Sequence, residues 1–210
     1  NIIGNNNNTL QYKFINGNYN IKEGSTLSLS SMTIPYSWFN VSTKYNNKQF
    51  GYIYPSFAGP IVTVTTLPDG FYTVDDLNNY LHLLMLNNNH YLINDLGQNV
   101  FYLELSYNVT YYACQITGFT LPTALPAGWS FPAGAPVLPA VATAPTFTLP
   151  ASGSVRNILG FTQLSYGGGA SNFSALSEVV PEGSIVNDIV VRCSLVNNSI
   201  TSPSDIIDSI

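Results

Sequence analysis

The sequence predicts an all-β domain, a sandwich or barrel of short strands accompanied by one short helix. Three observations predict it: runs in which apolar and polar residues alternate, turn residues placed between those runs, and one stretch whose apolar residues recur every three or four positions. The 210 residues are 45% apolar and 13% aromatic, which is enough to fill a core and unlike a disordered chain. A length near 200 suits one all-β domain, so residues 1–210 read as a single domain. The chain opens at Asn1 with no charged-then-apolar leader and stops at Ile210, and it reads as trimmed at both ends.

Taken in chain order, strands are expected over residues 9–15, 26–34, 49–54, 60–66, 99–106, 108–116 and 184–195. Alternation is strict in Thr26-Leu27-Ser28-Leu29-Ser30, which puts the leucines on one sheet face and the serines on the other, and it recurs in Val62-Thr63-Val64-Thr65. Turn signals separate the runs at Asn16-Gly17-Asn18, Pro68-Asp69-Gly70, Leu96-Gly97-Gln98 and Pro181-Glu182-Gly183. Many short strands divided by Gly, Pro and Asn argue against a parallel α/β sheet.

The helix begins after Thr73. Thr73 and Asp76 have capping-box spacing, and Asp75 with Asp76 suits the positive end of the helix dipole. Val74, Leu77, Leu81, Leu84 and Met85 then form one apolar face, and Asn87, Asn88 and Asn89 end the helix after roughly three to four turns. It is expected to lie across a sheet edge or barrel end and close the core.

Residues 118–150 differ in composition, holding seven of the thirteen prolines mixed with Ala, Gly, Trp129 and Phe131. That density argues against regular helix or a central strand. A solvent-reaching linker is one reading of this Pro/Ala-rich loop insertion. An ordered excursion packed on its own domain or a neighbouring subunit is the other, because the stretch is uncharged and carries large apolar residues.

Charge is the unusual quantity. Charged residues make up 8% of the chain, against roughly 25% in an average soluble domain. Asn, 24 in number, together with Ser, Thr and Tyr must cover the surface instead. Such a surface lacks the self-repulsion that keeps monomers apart, and packing into an assembly is a natural use for it. The net charge of −5, with four Lys and two Arg dispersed, leaves no basic stripe for direct nucleic-acid binding. The longest apolar runs fall well short of the roughly 20 residues of a membrane span.

Candidate chemistry is sparse. A triad or zinc site would have to use His82 or His90, and neither has a second His at ligand spacing or a nucleophile motif nearby. Asp75 and Asp76 are adjacent and point apart on a helix, so capping explains them better than paired acid–base work. Tyr166-Gly167-Gly168-Gly169-Ala170 lacks the Lys-Ser/Thr of a phosphate loop and reads as a turn. Cys114 and Cys193 sit in apolar runs and fit either buried free thiols or a strand-to-strand disulfide. The five Asn-x-Ser/Thr sequons, at Asn7, Asn40, Asn108, Asn172 and Asn197, are about what chance produces in so Asn- and Ser/Thr-rich a chain. No catalytic, cofactor or metal residue is assigned and no enzymic activity is expected. The aromatic runs around Tyr52 and Tyr54, Phe101-Tyr102-Leu103-Glu104-Leu105 and 109–112 suit core and cross-strand packing. Exposed, the same residues suit sugar or protein binding.

Three segments carry a family resemblance. The first is Ser31-Met32-Thr33-Ile34-Pro35-Tyr36-Ser37-Trp38-Phe39-Asn40-Val41-Ser42, followed by Asn46-Asn47 and the strand around Phe50. The second runs from Leu67-Pro68-Asp69-Gly70-Phe71-Tyr72-Thr73 through Val74-Asp75-Asp76-Leu77-Asn78-Asn79-Tyr80-Leu81. The third is Val155-Arg156-Asn157-Ile158-Leu159-Gly160-Phe161. In this order they resemble the single jelly-roll vertex proteins, or pentons, of virophages, polinton-like viruses and large icosahedral DNA viruses. The closing segment from Asn197 to Ile207 is similar as well, so the resemblance spans most of the chain. It implies a jelly-roll β-sandwich of about eight strands in two sheets and a virion location. It also implies homo-oligomers, most often pentamers, that contact the major capsid protein. Residues 118–150 depart most from the pattern, which leaves a minor capsid protein of the same virus class as an alternative, beside a carbohydrate- or receptor-binding β-sandwich. Gly70 is expected to permit a tight approach into the helix, and Gly160 to hold a positive φ or a close contact.

Overall fold

The structure is a computed structural model that describes residues 2–6, 9–12, 22, 24–28, 30–31, 38–183, 190–193, 195 and 206–209. The chain falls into two compact units, residues 1–35 with 188–210 and residues 36–187. In the first, β1 (Ile2–Asn6) pairs antiparallel with β2 (Thr9–Tyr12), while β13 (Val190–Arg192) pairs antiparallel with β14 (Ile206–Ser209).

The second unit opens with a 3-10 turn, Thr43–Tyr45, capped by the Ser42 hydroxyl and ended by Asn46 in the left-handed conformation. The strands β3 (Asn47–Tyr54) and β4 (Ile61–Thr66) follow, then the helix α1 (Val74–Asn87). Two short strands, β5 (Leu92–Ile93) and β6 (Asn99–Val100), form a ribbon of their own. Next come the hairpin β7 (Leu103–Asn108) and β8 (Ala113–Gly118), then β9 (Thr146–Thr148) and β10 (Gly153–Ser154). A single helical turn, α2 (Arg156–Leu159), precedes β11 (Ser165–Gly167) and β12 (Phe173–Leu176).

Two sheets carry the core of this unit. One runs β4-β3-β9-β11, with β10 added in parallel beside the start of β3; the other runs β12-β8-β7 and is antiparallel throughout. In β3 the two-residue period turns Phe50, Tyr52 and Tyr54 inward. They meet Phe147 of β9, Leu103 and Leu105 of β7, and Cys114 and Ile116 of β8 in one apolar cluster. The helix adds Leu77, Leu81 and Met85 from its buried face. Its capping box is complete, since the Thr73 hydroxyl accepts from the Asp76 N–H and the Asp76 carboxylate accepts from the Thr73 N–H. Asn78 anchors the helix to β7 by accepting the Leu105 N–H at 2.9 Å. Among the described residues no helix is long and apolar enough to cross a membrane.

The all-β expectation with one amphipathic helix therefore holds in outline, and several details are corrected. The described residues carry fourteen short strands in five sheets, most of them paired antiparallel. A second helix, α2, is present; it stops at Gly160, whose φ of 76° and whose missing Cβ, which would lie 2.2 Å from the Val179 carbonyl oxygen, meet the expectation for that glycine. Residues 26–28, 30 and 31 form no ladder despite their alternation, because a period of two makes a strand only beside a partner edge. Residues 29 and 32–34 of that run lie outside the described residues, as do 13–15 and 184–189 of the outer runs. The expected strand 99–106 breaks at Phe101 and Tyr102, where the chain changes partner from β5 to β8. Residues 109–112 of the run 108–116 are the turn that joins β7 to β8. Despite the proline density, a central strand is present in 118–150: Thr146, Phe147 and Thr148 lie between Pro145 and Pro150, and three residues free of proline suffice to bridge β3 and β11. The rest of 118–150 packs on its own unit, burying Leu121, Leu138 and Ala144. The glycine run begins as a strand, since Ser165–Gly167 is β11, and turns only afterwards.

Leu81 is fully buried at the middle of the α1 contact. Leu81→Ala is expected to lower stability by about 2 to 5 kcal/mol through lost burial and the cavity left behind, read as a lower urea midpoint at unchanged slope.

Candidate functional site

The first and second resemblance segments meet at Asn40, which is completely buried. Its Nδ2 donates to the Tyr72 carbonyl at 2.8 Å and to the Gly183 carbonyl at 3.2 Å, while its Oδ1 accepts the Tyr72 N–H at 2.9 Å. Asn47 Nδ2 donates to the Asn40 carbonyl at 2.7 Å, and Asn47 Oδ1 accepts from the Ser42 N–H. Beside this node Val41 and Gly70 exchange both backbone hydrogen bonds, at 3.1 and 2.9 Å. Gly70 does permit a close approach, because an added Cβ would stand 3.0 Å from the Tyr72 ring. The third segment joins through Val155, whose N–H donates to the Gln49 carbonyl in β3.

An apolar recess of about 270 Å³ lies where these segments converge. Phe71, Tyr72, Val74 and Leu77 of the second segment and Ile158 of the third form its walls, with Tyr107, Pro181 and Gly183 at the rim. Tyrosine hydroxyls are the only titratable groups lining it, so it is suited to hold an apolar side chain rather than to move protons.

Uncharged surface is found elsewhere on the same unit. From residue 105 to residue 155 the chain has no Asp, Glu, Lys or Arg. The β7–β8 turn exposes Val109, Tyr111 and Tyr112 by 72%, 66% and 68%, and Tyr112 sits in the left-handed region at φ 49°. Gly or Asn would occupy that conformation at less cost. On the sheet, Val62 and Val64 of β4 face outward, exposed by 65% and 53%.

The titratable candidates are placed individually. His90 is buried, shares a 2.8 Å hydrogen bond through Nδ1 with the Tyr52 hydroxyl, and stacks on Tyr54 at 4.3 Å between ring centroids. Burial lowers its pKa to about 4 and pushes that of Tyr52 up to about 12. His82 lies flat on Phe101 at 4.0 Å, and burial lowers its pKa too. Asp76 is held below the usual carboxyl range by the Thr73 hydrogen bonds, in keeping with its cap role, and Asp75 is exposed in the first turn. Cys114 is a buried free thiol raised to about 12 by burial, and Cys193 is free as well. Asn40, one of the five sequons, is inaccessible to a glycan in the folded chain. Among the described residues no three of His, Cys, Asp and Glu gather as a metal would require.

Sequence reasoning missed one polar cluster. The Tyr166 hydroxyl donates to the Glu178 carboxylate at 2.8 Å, and the Thr162 N–H donates to it at 2.9 Å. Burial alone would raise Glu178, but these hydrogen bonds outweigh it and hold the carboxyl below its ordinary value. Burial, with the adjoining carboxylate, pushes Tyr166 up to about 12. No spacing or motif links the two residues; the fold brings them together, with the Val179 N–H beside Glu178 donating to the Gly160 carbonyl.

Replacing Asn40 is expected to leave three buried backbone groups without partners. Asn40→Ala should cost about 3 kcal/mol or more, at about 1 to 3 kcal/mol for each stranded group. Asn40→Asp should be no better, because a carboxylate replaces the two donors that face carbonyls; a urea midpoint for Asn40→Asp close to wild type would remove the node's importance. His90 makes stability pH-dependent. The unfolded chain regains an ordinary His pKa near 6.5 and takes up a proton that the folded chain refuses. Stability from His90 is complete above that value and falls as pH drops toward 4, by about 2 kcal/mol between pH 7 and pH 5. Urea midpoints over that range should fall more steeply for the wild type than for His90→Gln. No family model, no curated protein and no solved structure matches the chain.

Proposed function

We propose that the chain is a structural subunit of a virus capsid. In its most specific form it is the vertex protein of a double-stranded DNA virus, a single jelly roll assembled as a ring of five against the major capsid protein. The observation that carries the reading is that the ordered segments are joined pairwise: the first to the second at Asn40, the second to the third across the recess that Tyr72 and Ile158 line, and the third to β3 through Val155. Segments far apart in the chain share one structural role there, which supports treating their order as a property of a fold rather than of composition.

The surface supports the same reading. A large uncharged area, with valines and tyrosines standing out from a strand and a hairpin, suits a subunit that neighbours cover. Buried amides and hydroxyls can hydrogen-bond across such contacts without the cost of desolvating charge. A minor capsid protein of the same class would use the same features with a different symmetry. The exposed Tyr111 and Tyr112 favour a second reading, a carbohydrate- or receptor-binding β-sandwich, because flat aromatic rings at a hairpin tip can stack on sugars.

Native mass spectrometry and class averages of negatively stained particles, at high protein concentration, test these readings together. Rings of five are expected for the vertex protein, and closed assemblies of another symmetry point to a minor capsid protein. A strict monomer that binds a glycan array, and loses that binding in Tyr111→Ala, would replace the capsid reading by the second.

A further inference from the structure

Among the described residues β4 pairs with β3 alone, in a register without bulges that sets Gln49 opposite Thr66 and Tyr54 opposite Ile61. One bond beyond this ladder fixes the direction of every amide in it. The Leu67 N–H donates to the Lys48 carbonyl at 2.9 Å, so the pair 48/67 is a hydrogen-bonded one. Hydrogen-bonded and non-bonded pairs alternate along an antiparallel ladder. The bonded pairs are therefore 50/65, 52/63 and 54/61, and the N–H and C=O groups of Val62, Val64 and Thr66 point away from β3.

Natural edges are usually blunted by an inward or flanking Lys, by Pro within the strand, or by a bulge. Between Ile61 and Thr66 there is none of these, and the residues are all β-branched. Val62, Val64 and Thr66 are exposed, and none carries charge. The residues whose amides point to the edge are the same ones whose side chains face outward. An antiparallel partner that continues this sheet must oppose outward residues to outward residues and bonded amides to bonded amides. A second copy of β4 meets both conditions at once.

We propose that β4 pairs with the β4 of a second copy, antiparallel across a two-fold axis at Val64. Val64 then faces its own counterpart, and Val62 of each copy faces Thr66 of the other. The two sheets become one, with the four valines Val62 and Val64 from both copies on its outer surface. The contact is isologous and stands independently of the capsid reading.

The test measures the native mass of the full chain as wild type, Val64→Pro, Val64→Lys and Val64→Cys. Proline at 64 removes only an edge-directed N–H and leaves the bonds to β3 intact, whereas lysine places like charges opposite each other at the axis. A wild-type mass of two copies, or of ten if rings of five also form, is expected. Both Val64→Pro and Val64→Lys should halve that mass while far-UV circular dichroism and the melting temperature stay close to wild type. Val64→Cys should form a covalent dimer under mild oxidant, since Cα atoms of a bonded antiparallel pair lie about 5.5 Å apart, within disulfide range. If Val64→Pro does not fold, Val64→Lys and Val64→Cys decide. A wild-type mass of one or five copies, an unchanged mass in a folded Val64→Lys, or a Val64→Cys that stays monomeric under oxidant would overturn the proposal. Five copies would do so while leaving the capsid reading standing, and two copies would support the edge contact while counting against a vertex ring.

Discussion

The second unit depends on one buried side chain whose polar atoms are fully used. Asn40 has two donors and one acceptor to place, and Tyr72 and Gly183 take all three at 2.8 to 3.2 Å. A buried amide left unpaired costs more than most single contacts contribute. The entry to α1 and the segment ending at Gly183 are thereby held to the strand that leads into β3. No aliphatic residue could do the same, because the groups it joins are backbone N–H and C=O that otherwise have no partner there. Asn47 extends the constraint by accepting the Ser42 N–H and donating to the Asn40 carbonyl, which sets the starting point of β3. The alternation of Phe50, Tyr52 and Tyr54 toward the core follows from that starting point, since a slip of one residue would turn all three outward.

This explains why the aromatic residues can be so numerous inside. The Tyr52 hydroxyl is buried, and it meets a second buried ring that can hydrogen-bond, His90. The helix cap and the Asn run at its other end place His90 there: Asn88 closes α1 on the Leu84 carbonyl, and the His90 N–H bonds the Met85 carbonyl immediately after. A histidine that might have been chemical is instead a packing residue with a depressed pKa. Its cost falls on acid stability rather than on any reaction.

What was legible in the sequence was periodic or capped. Thr73, Asp76 and the leucines of α1 repeat locally, so the helix could be read from its own residues, and so could β3 and β4, where pairing follows a short turn. Three kinds of feature were not legible. The strand β9 is only three residues long and depends on β3 and β11 for its existence, so the prolines around it outweighed it. The break at Phe101 and Tyr102 is a change of partner, invisible to any window along the chain. The Asn40 node and the Tyr166–Glu178 pair join residues distant in sequence by single hydrogen bonds, which leave no periodic trace.

The shortage of charge can now be divided by location. The ion pair of Lys48 with Asp69 sits at the end of the β3–β4 ladder beside the 3-10 turn, and Thr43 joins it through its own hydroxyl and N–H. Charge is therefore kept where the sheet must end. Along the edge of β4 that no described strand covers, and from Leu105 through the turn into β8, it is absent, although edges are where lone proteins most often place it. A monomer carrying such an edge would be prone to uncontrolled pairing. The same edge is an advantage once a defined neighbour covers it, because every backbone group gains a partner and no charge has to be desolvated. The distribution of charge, more than its total, is what the proposed pairing of this edge with a second copy rests on.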